Sequence, residues 1–231
     1  MSNSLPPSTD KRAASIEQMI PLRPLPGVNL CKRGERRAEK ILDAATEVFA
    51  QKGYQHAKLS EIVALAGGSL STLYRIYGDK EGLVSAILER RLENLVGTLD
   101  SIHFSPDMPP EEALRRTAVR MAEALAKPDS LVAYRIVIGE GQQFPHLREW
   151  FFEHAVVSIR NTLTAYFEQE IASGRLKLAS AEAAAMQFYG MIFSDFVIRA
   201  ASGYITQVDP DEVRERALFA VDLFLRGALP R

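Results

Sequence analysis

From Gly34 onward the apolar residues of this chain recur every three or four positions, and that rhythm restricts it to helices. In "GERRAEKILDAATEVFAQKGY", Ile41, Leu42, Ala45, Val48 and Phe49 fall at i, i+1, i+4, i+7 and i+8, while charged residues fill the opposite face. Gly53 is expected to stop this helix. "LSEIVALAGG" reads as a short helix ended by glycines, and "SLSTLYRIYG" as another with Ser69 as its N-cap. Asp79 is expected to cap a long helix through "KEGLVSAILERRLENLVGTLD", with Leu83, Ile87, Leu88, Leu92, Leu95 and Leu99 on its apolar side. After "SPDMPP" the stretches 110–126, 130–143, 146–173, 180–203 and 210–228 each carry a helical pattern. The last has Asp209, Pro210 and Glu212 as N-cap, first-turn proline and capping-box partner. No stretch alternates with period two between turn dipeptides. The expected fold class is all-α.

Composition narrows the function. With 231 residues, 47% apolar and 25% charged, the chain has the balance of a globular protein with a sizeable core. No apolar run approaches the roughly 18–20 residues of a membrane span, and the start has no apolar h-region of a secretory signal. The single cysteine, Cys31, fits a reducing cytoplasm, the expected location. The four histidines have no metal-ligand spacing, so no metal and no cofactor is expected. An enzyme is not expected either, because phosphate-binding glycine loops, a nucleophile elbow and a triad-like histidine are all missing from the sequence. The net charge of −1 hides an asymmetry: residues 32–80 carry nine Lys/Arg against six Asp/Glu, whereas 81–231 carry sixteen against twenty-one. A basic first third on an acidic body suits a protein whose one end meets a polyanion; scatter over fifty residues gives the same numbers. Residues 1–31, with five prolines among Ser, Asn and Thr, read as a flexible tail.

The stretch "AGGSLSTLYRIYGDKEGL" (66–83) concentrates hydrogen-bonding side chains between two short helices joined by a glycine turn. That is the arrangement of a helix-turn-helix, whose second helix enters the DNA major groove, and equally of an ordinary helical hairpin. As a recognition helix it would bury Leu73, Ile76 and Leu70 and present Ser71, Thr72, Tyr74 and Arg75 to bases and phosphates. From Arg37 to Leu83 the sequence resembles the tetracycline-repressor-like (TetR) family of bacterial regulators. "ILDAATEVF", Gly53–Tyr54, "IVALAGGS", "TLYRIY" and "KEGL" follow that family's N-terminal pattern in order and spacing. The resemblance implies a three-helix DNA-binding domain over 32–80 and a larger ligand-binding and dimerisation domain over 81–231. It assigns Ser69, Ser71, Thr72, Tyr74 and Arg75 to the recognition helix and its cap, with the Tyr74 hydroxyl and Lys80 on backbone phosphate. Arg36, with Arg33 and Arg37, reads either as a phosphate or minor-groove contact or as a solvated helix start.

The chain departs from the pattern in three places. Gly68 stands where a buried valine is usual, Ala57–Lys58 replace a pair of small hydroxyl residues, and Tyr77 replaces a phenylalanine. Lys58 loses an N-cap hydroxyl but offers a charge to phosphate, and the Tyr77 hydroxyl needs a partner.

In the body, "GEGQQFPHLREWFF" is similar to an E-x-x-x-F-P-x-L segment of one subset of the family's C-terminal domains, through Glu140, Phe144, Pro145 and Leu147. The resemblance implies a homodimer through helices 180–203 and 210–228 on a palindromic double-stranded DNA operator. It also implies an effector pocket, whose candidates are Phe104, Met121, Tyr134, Trp150, Phe151, His154, Tyr166 and Met191; each also reads as ordinary core. The expected function is a repressor released from its operator by a small hydrophobic or aromatic effector. The alternative is a helical interaction or ligand-binding module that has lost specific DNA binding.

Overall fold

The structure, a computed structural model, describes residues 30–100 and 108–228. The tail expected over 1–31 lies outside them save its last two residues, and the side chains of Leu95 and Leu99 are outside as well. Among the described residues every regular element is a helix: α1 (Lys32–His56), α2 (Leu59–Ala66), α3 (Leu70–Tyr77), α4 (Lys80–Asp100), α5 (Pro110–Leu125), α6 (Pro128–Tyr134), α7 (Pro145–Phe151), α8 (Ser158–Ala172), α9 (Ala181–Ala201) and α10 (Pro210–Ala228). Two π-helical turns extend α6 and join α7 to α8, over Arg135–Gly139 and Phe152–Val157.

The helix ends follow their capping chemistry. Gly53 takes φ 72°, ψ 170° and breaks α1 as the sequence suggests. Gly67 turns left-handed at φ 63° after α2, its N–H donating to Ala64 and that of Gly68 to Val63, a Schellman closure. Ser69 caps α3 by accepting from the Thr72 N–H at 3.3 Å. Asp79 caps α4 by accepting from the Gly82 N–H at 2.8 Å. Lys58, at the N-cap of α2, makes no such bond.

The helix expected over 130–143 leaves helical geometry after Gly139. At Gly141 a Cβ would stand 2.0 Å from the Val137 carbonyl oxygen, so the chain there packs too close for any other residue. Residues 140–144 therefore form a tight non-helical connection, with the Gln143 N–H donating to Glu140 O at 2.8 Å.

The head, α1 to α3, closes on Ile41, Ala45, Phe49, Ile62 and Leu73, and the first turns of α4 complete it with Leu83 and Ile87. The body's core holds a ring cluster in which Phe167, Phe188 and Phe224 pack at 5.2–6.0 Å between centroids. α6 lies between head and body, with Asp129 to Tyr134 all buried.

Polar joints tie head to body at three places. Arg90 of α4 donates from Nη1 to Asp43 of α1 at 2.7 Å and grips Asp129 of α6 from Nε and Nη2 at 2.8 and 2.7 Å; Thr46 of α1 closes the group. Arg135 donates to the Ala50 carbonyl of α1, to Ala200 O of α9 at 3.1 Å and to Ile205 O at 2.5 Å. Gln55 bonds Glu140 and Gln143 at 3.0 and 3.1 Å, and the Tyr54 ring meets Phe144 edge-on at 5.0 Å.

Candidate nucleic-acid interface

α3 is two-faced because its residue types alternate with the helical turn. Leu73, Ile76 and Tyr77 are buried against α1 and α4, while Ser71, Tyr74 and Arg75 stand exposed at i, i+3 and i+4. Leu70, expected among the buried residues, is 38% exposed, because it occupies the first turn beyond the reach of the head core. The Tyr77 hydroxyl finds its partner in the Ala38 carbonyl at 2.8 Å, which pins α3 to α1. Burial pushes this phenol up to about 12. Gly68 leaves the Ile41 side chain 3.9 Å from where a Cβ would sit, so the turn is underfilled without being open.

The sequence-derived contacts divide into two groups. Arg36, Lys58, Ser71, Tyr74 and Arg75 are exposed to solvent. Ser69, Thr72 and Lys80 have internal work. Ser69 and Thr72 hydroxyls lie 3.0 Å apart at the cap of α3. The Lys80 ammonium stands 4.5 Å over the Tyr54 ring and donates to Gln55 O at 3.3 Å, and burial lowers its pKa. Lys80 thus closes the seam between α1 and α4 at the same end where Phe144 of the body meets Tyr54.

In the body, the structure brings together Tyr134 and Phe151, with ring centroids 5.6 Å apart, and adds Phe196 at 6.0 Å from Tyr134. Trp150 and His154 form a separate half-buried stack at 4.8 Å, with His154 Nδ1 2.9 Å from the Trp150 carbonyl oxygen. Met121 and Tyr166 are core residues. Met191 lies apart on the outer face, in a shallow groove with Phe219, Ala220 and Leu223 of α10, because its helical phase points away from the aromatic group. Phe104 lies outside the described residues.

Sequence reasoning missed Arg90, Arg91, Asp129 and Arg135. The signal for Arg91 was present: it falls in phase with Val84, Ile87 and Leu88 on the apolar face of α4, where a charge is out of register. Asp129 offers no such signal, since its partner is 39 residues away in sequence.

A capped helix-turn-helix head, joined through one long helix to an all-helical body, defines a DNA-binding transcriptional regulator. The chain belongs to the TetR family of bacterial regulatory proteins: residues 41–87 match the family's N-terminal domain, and residues 112–227 match the domain described as "AefR-like transcriptional repressor, C-terminal domain". It is a regulator and not an enzyme. It is 43% identical over 68 residues to the HTH-type transcriptional activator FasR of Mycolicibacterium smegmatis, covering 29% of this chain and 31% of that one. It is 29% identical over 181 residues to the HTH-type transcriptional repressor Rv3405c of Mycobacterium tuberculosis, covering 78% and 84%. The match to FasR spans about a third of that relative's length. A TetR-family regulator from Mesorhizobium loti shares the fold at a TM-score of 0.68 and 23% identity, over 87% of this chain and all of that one. Among the described residues no helix is long and apolar enough to cross a membrane.

Proposed function

We propose that the chain is a ligand-responsive cytoplasmic repressor that holds a palindromic operator as a homodimer and releases it when a small, largely apolar effector enters the body. One observation carries the DNA-reading part: α3 is anchored at both ends and along one face, and offers Ser71, Tyr74 and Arg75 together on the other. A helix so fixed can place an arginine fork against a guanine edge and a phenol against a phosphate. The proposed division runs from a head over 32–80 to a body over 81–231. Lys58 and Arg36, both exposed at helix starts, supply charge to the backbone. Lys80 reaches phosphate only from the half-buried seat it holds on Tyr54.

Dimerisation is supported by the outer face of α9 and α10, where Met186, Met191, Ile198, Phe219 and Leu223 are each 39–68% exposed. Large apolar residues gathered on two helices in this way suit a face that a second copy covers. The two-fold symmetry of a dimer then gives the operator its palindrome.

The test is binding of the purified chain to duplex DNA from upstream of its own gene, followed across a salt titration. Affinity should fall steeply with salt. Arg75→Ala should relax preference at one symmetric pair of base positions by about 1–3 kcal/mol. Binding without sequence preference, or none at all, would refute this reading.

A further inference from the structure

Arg91 is 5% exposed, on the face of α4 that enters the body. Its Nη2 donates to the Tyr134 hydroxyl at 3.1 Å, and its guanidinium carbon stands 5.0 Å from the ring centroids of both Tyr134 and Phe151. Its Nε and Nη1 are buried and meet no acceptor among the described residues, and no described carboxylate lies within ion-pair distance. A guanidinium cannot escape burial by losing its proton. It normally regains its lost hydration from a carboxylate and a full set of acceptors. Here two ring faces and one phenol supply only part of that.

The surroundings complete a binding geometry. Tyr134 meets Phe196 at 6.0 Å, and Tyr189, stacked on Phe193 at 4.3 Å, brings its phenol beside that of Tyr134. Tyr134 and Phe151, whose rings both adjoin Arg91, are each the last α-helical residue before a π-helical turn. Such turns inside helices occur frequently at functional sites, since they displace the side chains on either side from regular packing. The group therefore combines one cation with unfilled donors, two phenols and apolar walls of Phe151 and Phe196.

We infer that Arg91 anchors the carboxylate of a small, otherwise apolar effector, received by its free donors and by the phenols of Tyr134 and Tyr189. This rests on the body being the effector domain and names the chemistry of what enters it. Arg91 reaches such a molecule only when the rings over it part, so binding and rearrangement of the walls are one event. Arg90, its neighbour on α4, holds the α1–α6 joint, which gives the event a route to the head.

The test uses the full chain with 3-phenylpropionate and octanoate, each set against its primary amide, which keeps the shape and drops the charge. The acids should raise the melting temperature and weaken operator binding, and the amides should do neither. In Arg91→Met the acids should bind roughly tenfold to a hundredfold more weakly, while Tyr134→Phe, which spares the cation, should keep a response to them. The acid–amide contrast on the unaltered chain stands even if Arg91→Met fails to fold. Acids and amides acting alike, neither acting, or an acid affinity undiminished in Arg91→Met would each overturn the assignment. Because operator binding without ligand is measured in the same series, its loss would instead overturn the regulator reading.

Discussion

At Gly68 the backbone needs no left-handed turn, unlike Gly67 before it, and the space beyond its Cα ends on Ile41. Glycine there costs unfolded-state entropy and leaves the side of the turn thinly packed. Gly68→Ala should therefore stabilise the chain by about 0.4–1 kcal/mol, read as a higher midpoint in urea with an unchanged slope. A lower midpoint would mean the turn needs glycine for a reason other than room. Tyr77 makes the opposite case, a departure that has acquired a bond. Its phenol is pushed up to about 12 by burial, with Asp43 and Glu39 adding to the shift and Arg90 opposing it. Below pH 10 both folded and unfolded chains keep the proton, so the group's contribution is intact. As pH rises toward 12 the unfolded chain releases a proton that the folded chain retains, and stability falls by up to about 1.4 kcal/mol per pH unit from this group. Tyr77→Phe should flatten the alkaline arm of a stability–pH curve by one proton and cost about 0.5–1.5 kcal/mol at neutral pH. An unchanged arm would show that the phenol ionises freely in the folded chain.

Among the elements, α4 carries the joint between head and body. Arg90 leaves it to hold Asp43 on α1 and Asp129 on α6, and the Asp129 side chain is only 10% exposed. Arg90→Met strands that carboxylate, at a cost of about 3–5 kcal/mol. Adding Asp129→Leu should recover much of the loss, and strict additivity of the two in thermal melts would deny the pairing. This joint also marks where reading the sequence stops. The helices were legible because Ile41, Leu42, Ala45, Val48 and Phe49 declare a face locally, and caps such as Ser69 and Asp79 declare ends. The outward set on α3 was legible for the same reason. Asp43, Arg90 and Asp129 read as three surface charges on three helices, since their meeting depends on how the helices cross. The break after Gly139 was less legible, because the obstacle to a side chain at Gly141 is the carbonyl of Val137 four residues back, a backbone close approach that residue types do not announce.

For the whole molecule, the exposed stripe on α9 and α10 sets the expected assembly. Phe219→Asp puts a charge at its centre, on a residue 65% exposed that touches little of its own core. The variant should keep its helical content and melting cooperativity, sediment as a monomer, and lose operator affinity by on the order of 10²–10⁴ as one-site binding replaces two. A dimer that persists would move the interface elsewhere. The ties among Tyr54, Phe144, Gln55 and Glu140 bear on descent as well as on stability. Regulators of this build invite the view that heads and bodies are interchangeable parts, to be shuffled between genes or grafted in the laboratory. Here the seam is keyed, so a transplanted head arrives without its counterparts unless Phe144, Glu140 and Asp129 travel with it. Lineages should therefore pass these positions on as a linked set, with a change on one side of the seam answered by a change on the other.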